Sequence, residues 1–282
     1  MSHLGPLAPS RSRLGHPRQS DGNQLTTNRS QMTDDTQTTN DPVDAFEYLS
    51  SHGCNEQRSE VRCIKALSDL HDCTNLWIRF FSSLDDLSPL ASLKNLRSLG
   101  LQACTALTDL TPLASMTNLD SLGLAQCTGI SDLSPLEPLT NLTYLNLNKC
   151  TGISDFTPLS KLINLTTLEL SMCQTLSNLS VLTDLTRLET LSLFQCRGIN
   201  DLSPLSNLKQ LTELNLWGCL FVESISPLAD LPNLKHLILK SCRRVKDASP
   251  LEGKGSLKRV NLAASGVDLE SLSPALRAKL YR

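Results

Sequence analysis

Cys127-Thr128-Gly129-Ile130-Ser131-Asp132 returns as Cys150-Thr151-Gly152-Ile153-Ser154-Asp155, 23 residues further on. A fixed interval of this kind constrains the fold more than composition can. Every copy must build the same unit, and a unit that short cannot bury its apolar side chains alone. Aligned on the leading leucine, the motif reads LRSLGLQACTAL from 96, LDSLGLAQCTGI from 119, LTYLNLNKCTGI from 142 and LTTLELSMCQTL from 165. It continues as LETLSLFQCRGI from 188, LTELNLWGCLFV from 211 and LKHLILKSCRRV from 234, with an earlier copy, CTNLWIRFFSSL, from 73 and a degenerate one, LKRVNLAASGV, from 257. Nine copies keep one register with no gap between their starts.

Within each copy the x-L-x-L-x alternation predicts a short strand with one face buried and the other in solvent. Leu99 and Leu101, and their equivalents in each later copy up to Leu237 and Leu239, should stack inward on parallel strands about 4.8 Å apart. A second refrain follows each strand: DLSPL at 86, 132 and 201, DLTPL at 109, DFTPL at 155, NLSVL at 178, SISPL at 224 and DASPL at 247. The hydroxyl residue before proline reads as a helix cap with proline at the first helical position. About eight residues remain before the next strand, enough for a short 3₁₀ or one-to-two-turn α element.

The pattern L-x-x-L-x-L-x-x-C-x-x-I/L over residues 60–282 resembles the leucine-rich repeat family. The D-L-S-P-L-x-x-L-x-N-L half is similar to SDS22-like phosphatase regulators and to internalins, and the C-x-x-I half to the cysteine-type repeats of F-box adaptors. The resemblance implies an α/β leucine-rich repeat solenoid, right-handed and horseshoe-like. Its parallel strands would line the concave face and its short 3₁₀ or α elements the convex one.

Cys104, Cys127, Cys150, Cys173, Cys196, Cys219 and Cys242 recur where the chain turns off each strand. A small, weakly donating thiol can fill that turn and bond to a carbonyl. Neighbouring disulfides need converging Cβ atoms about 3.8 Å apart, whereas stacked copies hold the side chains parallel. A line of thiols offers no tetrahedral metal site, and no histidine repeats beside it to make a catalytic thiolate. So many unpaired thiols favour a reducing, cytoplasmic setting, in which the sequons at Asn28, Asn141, Asn164 and Asn178 carry no weight.

The ends differ from the middle. Residues 1–42 are rich in Ser, Thr, Asn, Gln, Pro and Arg and read as a disordered tail. Their acid-free basic opening shares the charge of organelle transit peptides but shows no clear amphipathic helix. No apolar core of roughly 7–15 residues suggests a secretory signal, and no run approaches the roughly 18 needed to span a membrane. DAFEYLSS (44–51) and EVRCIKALSDL (60–70) have helical apolar spacing, so 43–72 is expected to be a helical N-terminal cap, 73–270 the solenoid and 271–282 a C-terminal capping helix begun by Ser-Pro. His52, Cys54, Cys63, His71 and Cys73 are enough ligands for zinc but match no common finger spacing. Cys63 falls on the apolar side of a helix and Cys73 at a core leucine position, which favours packing.

The outward positions around the two core leucines form three columns, and these should make the binding face. Phe194 and Trp217 are neighbours in one column, with Ile238 diagonal to them. Tyr144 and Glu169 flank one side, and Glu213, His236 and Lys240 the other. Large aromatic side chains cost something to expose, and a polar rim around them marks a protein contact. Trp77 and Phe80 stand where the N-terminal cap would cover them. From Lys235 onward eleven Lys/Arg face four Asp/Glu, but the basic residues fall on strands, loops and terminus alike with no base-stacking aromatics among them. No phosphate loop, catalytic dyad or appended catalytic domain is visible. The expectation is a monomeric, non-catalytic scaffold that binds a protein partner and needs no cofactor, nucleic acid or membrane. The alternative is a regulatory or substrate-recognition subunit of a phosphatase or ubiquitin-ligase complex.

Overall fold

In this computed structural model the described residues are 43–44 and 70–281. The chain divides into two units, Met1–Gln37 and Thr38–Arg282, and all described residues belong to the second. The tail, most of the N-terminal cap, and His52, Cys54 and Cys63 therefore lie outside them.

Among the described residues ten strands form one sheet in strict chain order, each hydrogen-bonded in parallel to the next. They are β1 (Val43–Asp44), β2 (Asn75–Arg79), β3 (Ser98–Gln102), β4 (Ser121–Gly123), β5 (Tyr144–Asn146), β6 (Thr167–Glu169), β7 (Thr190–Ser192), β8 (Glu213–Asn215), β9 (His236–Ile238) and β10 (Arg259–Asn261). The register is the repeat itself: Leu99 pairs with Leu122, Leu145 with Leu168, and Leu214 with Leu237. The nine repeats supply β2 to β10. The tenth strand, β1, comes from a stretch whose spacing suggests a helical cap. Val43 and Asp44 instead pair with Leu76 and Trp77 and extend the sheet by one rung.

Both core aliphatic residues of each copy, from Leu76 and Ile78 to Val260 and Leu262, are buried, and so are the seven repeat cysteines. A further column of asparagines joins the coils. Asn95, Asn118, Asn141, Asn164 and Asn233 each donate a side-chain N–H to a backbone carbonyl of the preceding coil, at 2.8–3.1 Å. Asn141 and Asn164, two of the sequon asparagines, are thus committed to joining coils.

A 3₁₀ turn follows every repeat strand, from Ser88–Ser92 to Leu269–Ser271. The expected hydroxyl cap is corrected here. Ser88 is already inside its turn, and its side chain caps nothing. The cap is the first residue of the refrain: Asp86 accepts from Ser88 N–H at 2.8 Å and from its O–H at 2.9 Å. Asp132, Asp201 and Asp247 repeat both bonds, and Asn178 accepts the equivalent N–H from Ser180 at 2.8 Å. Such an aspartate turn satisfies a backbone donor that a short 3₁₀ segment leaves open. The hydroxyl is a donor to the aspartate.

These bonds predict an acid response. Asp109 and Asp155 are held below the ordinary 3.8 by the hydroxyl and then the N–H of Thr111 and Thr157. Asp201 and Asp247 are lowered by the N–H and then the hydroxyl of Ser203 and Ser249. A carboxyl with a lower pKa folded than unfolded stabilises above the unfolded value and loses that contribution as pH falls through the folded one. The melting temperature should therefore hold down to about pH 5 and drop below pH 4. Replacing the four aspartates by asparagine, which keeps the acceptor as Asn178 does, should flatten that acid limb in thermal melts.

At the C-terminal edge, α1 (Pro274–Arg277) is capped by Ser273, whose Oγ accepts from Leu276 N–H at 3.1 Å. The helix is shorter than the spacing of Leu276 and Leu280 implies. Leu276 is buried, but the chain then unwinds and Leu280 forms a parallel bridge to Val260. Val260 donates to Lys279 O at 2.9 Å and accepts from Tyr281 N–H at 3.1 Å. The last residues thus occupy hydrogen-bonding positions that an open β10 would leave bare. Among the described residues no helix is long and apolar enough to cross a membrane.

Candidate functional site

The outward face is set by how each coil leaves its strand. The residue before each repeat cysteine has positive φ: Ala103, Gln126, Lys149, Met172, Gln195, Gly218 and Ser241 lie between 56° and 76°. This conformation is strained for all but glycine. The strain is offset because the turn amides extend the ladder past the strand: Lys149 N–H reaches Ser171 O at 2.8 Å, and Gln195 N–H reaches Trp217 O at 2.7 Å. The next side chain is driven inward, and that side chain is the cysteine.

Each thiol then finds one acceptor. Cys127, Cys150, Cys173, Cys196, Cys219 and Cys242 lie 2.7–3.2 Å from the carbonyl oxygen of the second core leucine one coil back, Leu101 through Leu216. Burial pushes Cys173 up to about 12 and Cys196 and Cys242 to about 11, and it raises Cys150 and Cys219 further. The neighbouring Cys127 thiol, and then burial, raise Cys104. A buried neutral thiol is a poor nucleophile and a poor metal ligand, so these residues act as packing and as donors. All eight described cysteines are free. Cys73 donates to Asn75 O at 3.1 Å and packs against the core. Among the described residues no group of three or more His, Cys, Asp or Glu could hold a metal ion.

On the outward side Phe194 and Trp217 meet with ring centroids 4.9 Å apart and planes tilted by 59°. Asn215 fixes the tryptophan backbone by accepting from Trp217 N–H at 3.0 Å. The Lys240 ammonium lies 4.5 Å over the Trp217 ring, so one face of the indole already carries a cation. On the adjoining strand positions, His236 Nδ1 is 3.1 Å from Glu213 Oε1. Glu169, Glu213, His236 and Ile238 share a depression of about 270 Å³ floored by Thr190, Ser192 and Asn215. Seven of the eight residues singled out from the columns therefore lie together across β6 to β9.

Tyr144 does not join them. Its hydroxyl accepts from Asn146 at 3.2 Å, and with Trp77, Gly100 and Gly123 it lines a separate depression of about 140 Å³. Trp77 leans over Gly100, where a Cβ would come 3.3 Å from the indole, and remains 37% exposed. Phe80, expected beneath the cap, is 72% exposed at its positive-φ turn.

Two features of the face escaped column reading. Ser171 and Ser192 are buried polar residues, their hydroxyls 2.9 Å apart. Asn148 bridges strands by accepting from Ser171 N–H at 2.6 Å and donating to Glu169 at 3.4 Å. Their outward positions in neighbouring copies are the signal that the sequence offers.

With this geometry in view, the comparisons are consistent. A family model described as leucine-rich repeats in two copies matches residues 117–161 and 186–230. The internalin C2 structure from Listeria monocytogenes is 34% identical at a TM-score of 0.57, covering 70% of this chain and 82% of that one. An internalin, inlF, from the same organism is 26% identical at a TM-score of 0.60, covering 77% of this chain and 69% of that one. A leucine-rich repeat protein from Leptospira interrogans is similar in fold, with 24% identity, a TM-score of 0.64, and coverage of 71% of this chain and 51% of that one. No curated protein matches the chain significantly. The chain belongs to the leucine-rich repeat family.

Proposed function

We propose that the chain is a non-catalytic interaction protein that binds a protein partner on the outward face of β6 to β9. The observation that carries this reading is the Phe194–Trp217 ring pair at 4.9 Å. It sits just past the ends of β7 and β8, with Lys240 over the indole and the Glu213–His236 pair on the same outward face. Aromatic anchors with a polar rim are the usual energetic centre of a protein contact, because the rings lose little conformational entropy on binding and the rim excludes water. Leucine-rich repeats are typically protein-binding, which supports the same reading at the level of fold. The unpaired repeat thiols support a reducing, cytoplasmic setting.

The test is a pull-down that compares the wild-type chain with a Phe194→Ala/Trp217→Ala variant whose melting curve is unchanged. Loss of a partner retained by the wild type is the expected result. An identical set of partners would remove this site.

A further inference from the structure

Beside the aromatic pair, the 270 Å³ depression has a chemistry of its own. Its two carboxylates belong to Glu169 on β6 and Glu213 on β8, strands that flank β7 with their backbones two strand spacings, roughly 10 Å, apart. Among the described residues Glu169 has no cationic partner; the one hydrogen bond to its carboxylate is the long 3.4 Å contact from Asn148. Glu213 is oriented toward the face by His236 at 3.1 Å. Ser192, on the floor of the depression, shares one hydrogen bond with Ser171, and both are about nine-tenths buried. Two hydroxyls carry two protons, so one remains available to an incoming acceptor.

We infer that this depression receives a lysine or arginine side chain of the partner, and that the partner segment is extended, with an apolar residue two positions away resting on Phe194 and Trp217. This rests on the proposed binding face. Charge selects a cation: two carboxylates line one hollow, one of them held by His236, and among the described residues the Lys240 ammonium on this part of the face is stacked on Trp217. The spacing follows from register. Ser192 closes β7 and Phe194 follows two residues later on the same outward side, where Leu193 N–H still reaches Asn215 O at 2.8 Å, so floor and anchor lie about 6.6 Å apart, which is also the i, i+2 distance of an extended guest. The free serine proton would meet a backbone carbonyl of that guest.

The experiment uses the full-length chain on arrays of short synthetic peptides. The peptides carry Lys or Arg separated by one residue from Leu, Phe or Trp, in both orders, with acetyl-lysine and glutamate versions and versions of wider spacing. Basic-x-apolar peptides should be retained. Acetylation, and Glu169→Gln/Glu213→Gln in the protein, should each weaken binding by about tenfold, with loss at high salt. Retention indifferent to acetylation and to the Gln variant, but abolished by Phe194→Ala/Trp217→Ala, would overturn this inference and leave the binding face standing. Preference for glutamate peptides, or no retention of any peptide, would also overturn it.

Discussion

Leu168→Ala should lower the unfolding free energy by about 2–5 kcal/mol. Leu168 is fully buried at the centre of β6, in register with Leu145 on one side and Leu191 on the other. Truncation removes its transfer free energy and leaves a hole that neither neighbour can fill, because both are held by their own strand hydrogen bonds. A solenoid sums the stabilities of neighbouring contacts, so a mid-stack hole weakens two interfaces at once. The comparison is Thr167→Ala, one residue away on the outward side, which should change stability by no more than about 0.5 kcal/mol. Urea titration followed by circular dichroism separates the two. Equal effects would mean that the buried and outward sides have been assigned wrongly.

The second large effect concerns binding. Truncating an interface anchor commonly costs at least about 2 kcal/mol, roughly thirtyfold in affinity. Phe194 and Trp217 are in ring contact at 4.9 Å, so each supports the other and their losses should not add. A double-mutant cycle against a captured partner should show each alanine costing about thirtyfold and the pair falling short of the product. Lys240→Ala should cost less, because it removes a cation from one face of the indole without removing the ring. Independent, additive losses would argue that the two rings contact the partner separately.

How far the fold was legible depends on what each element requires. Strands and register follow from periodicity, since alternate leucines can be buried in only one phase, and Leu145 pairs with Leu168 as the repeat demands. The thiols were legible because a turn from strand to core needs a small donor, and Cys150 reaches Leu124 O at 2.9 Å. The cap departs from the α-helix rule because the segment it opens is a 3₁₀ turn. In D-L-S-P-L the serine is the familiar capping residue, yet only the aspartate two positions earlier can reach its N–H. The spacing of Leu276 and Leu280 predicts a helix at the C-terminal segment, but an open edge at Val260 competes for that backbone and takes it.

The site was half legible. Columns tell which residues are neighbours, so Phe194 beside Trp217 could be read directly. They do not tell which rotamers meet. The contact of His236 with Glu213, the shared bond of Ser171 and Ser192, and the turning of Tyr144 toward Trp77's depression depend on side-chain choices made across strands.

The central claim is that one repeating coil sends its cysteine inward to a carbonyl and its alternate strand residues outward to one face. Timed alkylation of the native chain with a small thiol reagent, read cysteine by cysteine by mass spectrometry, tests it most directly. Cys127, Cys150, Cys173, Cys196, Cys219 and Cys242 should stay unmodified until denaturant is added and then react together. Rapid native labelling of Cys150 or its equivalents would contradict the account.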